Sequence, residues 1–140
     1  NADPQALVVA TAASQAVMQL GMPEARIILA QAATYVACAP KSNSAIMAID
    51  GAMEFVKAHP DYKIPSYLQD AHYKGAAKLG HGIGYKYAHD YKNHYARQQY
   101  LPDACKDIHF YNLSEQGYEK RLKEHLTRIH RESEEDNGGQ

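Results

Sequence analysis

The sequence predicts an all-α protein, a compact helical domain with a packed N-terminal helical unit, a long irregular middle segment rich in tyrosine and glycine, and a terminal helix. Helix-start and helix-stop residues divide the first part of the chain into apolar, alanine-rich stretches. An amphipathic pattern returns near the end, while closely spaced glycines interrupt the region between. At 140 residues the chain is one domain by size.

The first two predicted helices are apolar on nearly every face. Asp3-Pro4 opens the first, with a side-chain acceptor followed by a proline at the first helical position, and Gly21 ends it. Pro23 opens the second, which continues to Ala39. Such helices are buried either in their own domain or against another subunit, and the sequence is compatible with both. The candidate residues for a subunit interface are Leu7, Val8, Ile28 and Tyr35.

A third predicted helix is amphipathic. Ser42 or Ser44 caps its start, and His59-Pro60 ends it. Its apolar stripe, at a spacing of three to four residues, is formed by Ile46, Ile49, Met53 and Val56. After an extended crossing over residues 61–65, loosely helical spacing predicts a short helix from Ser66 to Leu79.

The last helix is capped by Asn112 or Ser114 and is expected to fray near Glu132. Its apolar stripe comprises Tyr118, Leu122, Leu126 and Ile129. Acidic residues followed by Asn137-Gly138-Gly139 come next, a composition typical of a disordered tail. We therefore predict a helical domain over residues 1–131 and an acidic disordered tail over residues 132–140.

The segment from Gly80 to Pro102 has the most distinctive chemistry. Three glycines within five residues disfavour a helix and predict a loop. Its five tyrosines alternate with basic residues and histidines, which suits a phosphate-bearing partner. An alternative, equally open, is that the tyrosines form a small core of the loop itself. The candidate DNA contacts are Lys74, Lys78, Lys86, Lys92, Arg97, Tyr85, Tyr87 and His89.

The formal net charge of −1 conceals an uneven distribution of charge. Residues 71–101 contain five Lys or Arg side chains against Asp90 alone, whereas much of the compensating acid follows residue 131. Because dedicated nucleic-acid modules are usually basic overall, the nearly neutral net charge argues against such a module. A helical interaction module without nucleic-acid contact is the rival interpretation.

Catalytic and cofactor chemistry has little support in the sequence. No Gly-x-x-x-x-Gly-Lys-Ser/Thr loop is present, so the chain is predicted not to hydrolyse ATP. His89-Asp90 and His94 resemble part of a metal-dependent phosphohydrolase site, but the further ligands would have to come from loops, at His81 and Asp103. We predict no catalytic residue, metal ion or cofactor in this chain.

Cysteine usage and apolar runs predict the compartment. Cys38, in an apolar run, and Cys105 are too far apart for a disulfide framework and are predicted to be inert. Polar residues such as Arg26 break every apolar run short of a membrane span, and no signal peptide opens the chain. These features predict a cytoplasmic protein. Its first residue is Asn1 rather than Met, which suggests a fragment of a longer protein.

Six short motifs, in one order, carry a resemblance that covers residues 1–131. They are Asp3-Pro4-Gln5-Ala6-Leu7, Gly21-Met22-Pro23-Glu24-Ala25-Arg26, Ala39-Pro40-Lys41-Ser42-Asn43, Gly84-Tyr85-Lys86-Tyr87-x-His89-Asp90, Gln99-Tyr100-Leu101-Pro102 and Gly117-Tyr118-Glu119. Together they resemble the C-terminal domain of the replication-associated recombination protein A family. Those proteins are AAA+ ATPases related to clamp loaders and to the Werner-helicase-interacting ATPase.

The resemblance implies the helical C-terminal part of a larger bacterial ATPase that acts in replication-fork maintenance, recombination and DNA repair. It implies a cytoplasmic, nucleoid-associated parent that assembles as a tetramer through this region and hydrolyses ATP with Mg²⁺ in a separate motor domain, dependent on DNA. The implied partners are further copies of the chain, DNA forks or ends bound weakly, and replication proteins, but not a membrane. No catalytic residue of the family transfers to a position in this chain.

Overall fold

A computed structural model describes residues 1–70 and 72–137 of the chain. These described residues form four α-helices: α1 Gln5–Leu20, α2 Ala25–Cys38, α3 Ser44–Ala58 and α4 Gly117–Asn137. Five short 3₁₀ turns lie between α3 and α4: Ser66–Leu68, Ala76–Leu79, Ala88–Asp90, Lys92–His94 and Asp103–Cys105. The described ranges contain no strand, so the predicted all-α class is confirmed.

The contacts divide the chain into two units. The first unit comprises Asn1–Met47 and Tyr111–Glu124. The second comprises Ala48–Phe110 and the described residues from His125 onwards. Each unit has its own anchoring interactions.

In the first unit, α1 and α2 pack through small side chains. Ala13 and Ala25 are buried, and Ile28 lies with Val9 in a groove of about 320 Å³ between the two helices. The predicted helix ends are confirmed to within two residues. Asp3 Oδ1 accepts a hydrogen bond from the Gln5 backbone N–H at 3.0 Å. At the other end Gly21, with φ of +70°, donates its N–H to a carbonyl of the last turn.

The C-terminus of α2 is closed by one lysine. Lys41 Nζ donates to the carbonyl oxygens of Val36 at 2.8 Å and Ala37 at 3.2 Å, and also to that of Ala39. These carbonyls have no partner within the helix, and they lie at the negative end of the helix dipole. The ammonium group therefore satisfies the helix end both as a donor and as a charge.

The centre of the first unit is the carboxylate of Glu119, whose side chain is fully buried. Oε2 accepts hydrogen bonds from Ser42 Oγ and from the Ser114 backbone N–H, both at 2.9 Å. Oε1 accepts from the Tyr111 hydroxyl at 2.7 Å. Burial by itself raises the pKa of Glu119, but the hydrogen bonds from Ser114, Tyr111 and Ser42 outweigh it and hold that pKa far below its usual range. The carboxylate thus joins the start of α3, the segment before α4, and α4 itself.

Gly117 makes the closest backbone approach in the first unit. Its φ is +50°, and a Cβ built there would lie 2.1 Å from the Ala2 carbonyl oxygen and 2.7 Å from Pro40 Cγ. The same Ala2 oxygen accepts a hydrogen bond from the Tyr118 backbone N–H at 2.7 Å. Only glycine allows this approach at the first residue of α4.

The second unit has an aromatic cluster around Phe55. The Phe55 ring lies 4.3 Å from His59 and 5.7 Å from Phe110, measured between ring centroids. A Cβ at Gly51 would be 3.8 Å from the Phe110 ring, so small residues on this side of α3 admit the aromatic side chains. The apolar stripe predicted for α3 does not face the interior. Its four side chains are 51 to 63 % exposed: Ile46, Ile49, Met53 and Val56.

Three further expectations differ from the structure. No α-helix spans Ser66–Leu79, because only the 3₁₀ turns Ser66–Leu68 and Ala76–Leu79 form and Gly75 between them has φ of +97°. The last helix continues to Asn137, past Glu132, so the predicted tail begins within helix; residues 138–140 lie outside the described residues. In the α4 stripe, Ile129 is buried as expected, whereas Tyr118 is 43 % exposed.

We predict that Glu119→Gln lowers the free energy of unfolding at neutral pH by about 1–3 kcal/mol, because an amide cannot accept from every donor and leaves one unsatisfied. A depressed folded-state pKa stabilises the fold above the unfolded value of about 4.5, and this contribution is lost as pH falls. The difference between the two proteins should therefore shrink below about pH 4.5. Urea unfolding at several pH values measures it.

Glu124→Gln is the matched control, since Glu124 is an exposed carboxylate on the same helix. Its effect should stay within about 0.5 kcal/mol. A Glu119→Gln difference that is the same at pH 7 and in acid would contradict the role assigned to the buried charge.

Candidate nucleic-acid interface

The basic, tyrosine-rich segment is an ordered loop of the second unit. The Gly82 N–H donates to the Ser66 carbonyl oxygen at 2.9 Å, and the Tyr67 hydroxyl donates to the Gln99 carbonyl oxygen. Lys86 Nζ donates to the Arg97 carbonyl oxygen at 3.1 Å. The predicted irregular segment is confirmed. The bond from Lys86 joins its two arms, and the bonds with Ser66 and Tyr67 attach it to the preceding 3₁₀ turn.

The rings of this segment are mainly on the surface. Tyr85 and Tyr87 are each 55 % exposed, and Tyr91 and Tyr100 are also exposed. Tyr95 is the more buried one, with its ring 5.3 Å from that of His130 on α4. Burial raises the pKa of Tyr95, assisted by Tyr100. Most of these tyrosines therefore do not form a closed core and present apolar faces to solvent.

Exposed rings continue along the loop from Tyr87. The Tyr87 and His89 ring centroids are 5.0 Å apart, and those of His89 and His94 are 4.8 Å apart. Beside this row, Tyr85 and Tyr87 line a cleft of about 560 Å³ together with Tyr67 and His72. Flat exposed faces of this type stack on nucleobases without regard to sequence.

The predicted cations divide into two groups. Lys74, Lys78 and Lys86 are exposed around the loop. Arg97 is also exposed, but its Nη1 lies 2.6 Å from Glu134 Oε1 on α4, as an ion pair. The structure therefore places an acidic residue from the end of α4 against one cation of the basic region at residues 71–101.

Two functional candidates on α4 were missed by the sequence reasoning. The Asn93 amide, by its hydrogen bond, lowers the pKa of Glu132 below its usual value. Three positive charges lower that pKa further: Lys92, Arg128 and Arg131. Arg128 and Arg131 thus share their surroundings with loop residues more than thirty positions away in the sequence. The only sequence signal for them is that two arginines lie three residues apart on the last predicted helix. That pattern is also typical of the charged surface of an ordinary helix, so it did not indicate a site.

The histidines have partners other than metal in this arrangement. His81 Nδ1 is 2.6 Å from the Tyr73 hydroxyl, while His89 packs between Tyr87 and His94. Within residues 1–70 and 72–137, no three His, Cys, Asp or Glu side chains are grouped as metal ligands. Cys38 is exposed rather than buried in its apolar run, and Cys105 is buried with Sγ 3.4 Å from the Pro102 carbonyl oxygen.

The candidate interface residues of the first unit occupy different positions. Leu7 is 76 % exposed and Val8 is exposed beside it. Tyr35 is partly exposed and donates a hydrogen bond from its hydroxyl to Asp3 Oδ2 at 3.0 Å, whereas Ile28 lies between α1 and α2.

A search of the described residues for a helix with the length and hydropathy of a membrane span found none.

This helical domain is of the class that ends AAA+ ATPases. Residues 1–130 match the family model described as MgsA AAA+ ATPase C terminal, and the chain belongs to that family. The replication-associated recombination protein A of Bacillus subtilis is 47 % identical over 124 residues, which cover 88 % of this chain and 30 % of that protein. The predicted family resemblance is confirmed.

Two other relatives extend the comparison. An uncharacterised AAA domain-containing protein of Mycobacterium tuberculosis is 44 % identical over 128 residues, 91 % of this chain and 28 % of that protein. ATPase WRNIP1 of Dictyostelium discoideum is 36 % identical over 111 residues, 79 % of this chain and 13 % of that protein. The chain thus spans less than a third of the length of these relatives.

We predict that the thermal unfolding curve of the tag-free chain is the same with and without a metal chelator, because its histidines bond and stack with each other and with tyrosine. A metal that binds the folded state would stabilise it by RT ln(1 + [M]/Kd), where [M] is the free metal concentration. Differential scanning calorimetry measures the effect, and a chain reloaded with zinc serves as the comparison. A midpoint lowered by several degrees on chelation would show that the histidines bind metal.

Proposed function

We propose that residues 1–131 form the self-association and DNA-contacting domain of a clamp-loader-like AAA+ ATPase that acts in replication-fork maintenance, recombination and repair. The chain itself is not an enzyme in this proposal. ATP and Mg²⁺ act in the motor domain of the longer protein, in the bacterial cytoplasm near the nucleoid. The observation that carries the proposal is the family match, joined to exposed apolar residues in one unit and exposed cations and rings in the other.

Self-association is supported by the two sides of α1. Positions 9, 13 and 16 face α2, whereas Leu7 and Met18, eleven residues apart, remain 76 % and 83 % exposed. Val8 and Leu20 add further exposed apolar surface on this helix. Large apolar surfaces that face water in one chain are typical of protein interfaces, and a stable one needs about 1,000 Å² or more in total. A second copy of the chain, and in the longer protein a tetramer, would cover this surface.

We predict that Leu7→Glu/Val8→Glu weakens self-association at least about tenfold, since each buried aliphatic side chain contributes about 1.5–3 kcal/mol and a carboxylate is costly to bury. Sedimentation velocity over a concentration series measures the change. The unaltered chain should sediment as a dimer or larger species at tens of micromolar.

Gln15→Glu/Gln19→Glu adds the same charge to the same helix at exposed polar positions and should leave the assembly intact. A clean monomer for the unaltered chain would refute self-association of this domain. Equal weakening by both variants would instead mean that net charge, and not the apolar surface, controls assembly.

DNA contact is supported by cations and rings on one unit. Lys74, Lys78 and Lys86 are exposed, and they belong to the same unit as the aromatic row that begins at Tyr87. Phosphate contacts by such lysines are weak and independent of sequence, since they act through release of condensed counterions. Several copies in one oligomer raise the effective concentration of the contact, so a modest site can still hold DNA.

We predict that Lys74→Glu/Lys78→Glu weakens binding of a single-stranded dT oligonucleotide and makes the log–log salt dependence less steep by roughly 0.7 per lost contact. These two lysines are suitable because both are exposed and the ammonium group of neither makes a hydrogen bond or ion pair within the described part of the chain. Fluorescence anisotropy across a salt series measures both effects.

Lys57→Glu/Lys106→Glu is the control, with the same change of charge at exposed positions of the same unit. If both variants bind as the unaltered chain does at low salt, the lysines are only a solvated rim. The domain would then be a helical interaction module without nucleic-acid contact at this position.

A further inference from the structure

Four cations of the second unit are associated with the end of α4. Lys92 and Arg97 come from the loop, and Arg128 and Arg131 come from the helix; we call them the four-cation cluster. Arg97 pairs with Glu134, and the amide of Asn93, next to Lys92, donates to Glu132. On α4, Arg128 lies one helical turn before Glu132, and Arg131 directly precedes it. None of the four is buried, so the cluster is open to a ligand.

Two glutamates occupy this cluster as acceptors. Glu132 Oε2 accepts from Asn93 Nδ2 at 2.7 Å, and Glu134 Oε1 accepts from Arg97 Nη1 at 2.6 Å. Amide and guanidinium donors are also the groups that proteins use to hold phosphate oxygens. Carboxylate oxygens at these two positions therefore satisfy donors that a phosphate could satisfy equally well.

The loop turns at this point through a left-handed backbone conformation. Asn93 and the next residue, His94, have φ of +57° and +52°, in the left-handed region. Asparagine and histidine adopt this region more readily than most other residues with a side chain. Here this conformation directs the Asn93 amide towards α4 and leaves the His94 ring against His89.

We propose that the four-cation cluster is a binding site for the phosphate backbone of single-stranded nucleic acid, in which Glu132 and Glu134 occupy positions that strand phosphates take on binding. The inference rests on the proposed DNA contact and deepens it. It adds Arg128 and Arg131 to the site, and it assigns Glu132 and Glu134 as carboxylates of the chain itself that compete with the strand for the cations. A single strand is the ligand, since the exposed rings of His89 and Tyr87, on the same loop as Lys92, can stack on the faces of unpaired bases.

The competitor has a defined effect on affinity. The two carboxylates neutralise part of the cluster in the unbound chain, so a strand must exchange protein ion pairs for phosphate contacts. Exposed ion pairs of this kind are weak, so the exchange reduces affinity without preventing binding. Removal of the carboxylates should therefore strengthen binding, and removal of the arginines should weaken it.

The first test uses Arg128→Gln/Arg131→Gln and anisotropy with a 5′-labelled dT oligonucleotide of about 20 nucleotides, long enough for one site. Loss of two phosphate contacts should weaken binding about tenfold at low salt and make the salt dependence less steep by roughly 1.4. The matched control is Lys120→Gln/Arg121→Gln, two exposed cations earlier on the same helix. A loss no larger than in the control would overturn the cluster as a site.

The second test uses Glu132→Gln/Glu134→Gln. The affinity of this variant for the same oligonucleotide should rise about 3- to 10-fold. Each exposed ion pair that the strand no longer has to displace changes the binding constant by less than a factor of about five. The salt dependence should also become steeper. Glu54→Gln/Glu124→Gln makes the same change of charge at exposed positions elsewhere. An equal rise in both variants, with unchanged slopes, would refute the competitor.

Failures of the two proposals are distinguishable. No binding of dT by the unaltered chain at low salt would refute the DNA contact and this inference together. Binding that depends on Lys74 and Lys78 but not on the cluster would overturn only this inference. If a variant unfolds, NMR of the unaltered chain still decides: the Arg97 Nε–H and Asn93 Nδ2–H signals should move as dT is added. Signals that stay fixed at saturation would refute the site.

Discussion

The buried carboxylate of Glu119 is the interaction on which the first unit depends. An isolated ionised carboxylate is very costly to bury, so its presence requires the donors around it to be in place. Ser42, Tyr111 and Ser114 supply those donors from segments that are distant in sequence. The charge therefore specifies one arrangement of the start of α3, the segment before α4, and α4 itself.

Two of the six motifs that carry the family resemblance meet around this carboxylate. Ser42 of the motif at residues 39–43 donates to Glu119 of the motif at residues 117–119. Gly117 of that same motif approaches Pro40, and Asp3 of the first motif caps α1. Several residues of the family motifs therefore serve to hold the first unit together. The ligand-facing chemistry proposed for the second unit depends on fewer of these residues.

Capping chemistry made the helices predictable from sequence. Asp3 and Gly21 act at the ends of α1 through local hydrogen bonds that any short window contains. Which side of a helix faces inward depends on tertiary packing and could not be predicted in the same way. The inward side of α3 is set by Gly51 and Phe55 instead of its most apolar stripe, because a small residue admits the ring of Phe110. The candidate site was only half predictable, since Arg128 and Arg131 join Lys92 only through the fold.

The lysine that closes α2 shows how a surface position can be chemically restrictive. The three N–H bonds of an ammonium group point to the corners of a tetrahedron, so Lys41 can meet several carbonyl oxygens that converge on one point. A guanidinium group spreads its donors in a plane and suits acceptors arranged side by side. Arginine at this position would keep the charge and lose part of the chelate-like arrangement of carbonyls. The conservative replacement is therefore the wrong one here, and the shape of the cation matters as much as its sign.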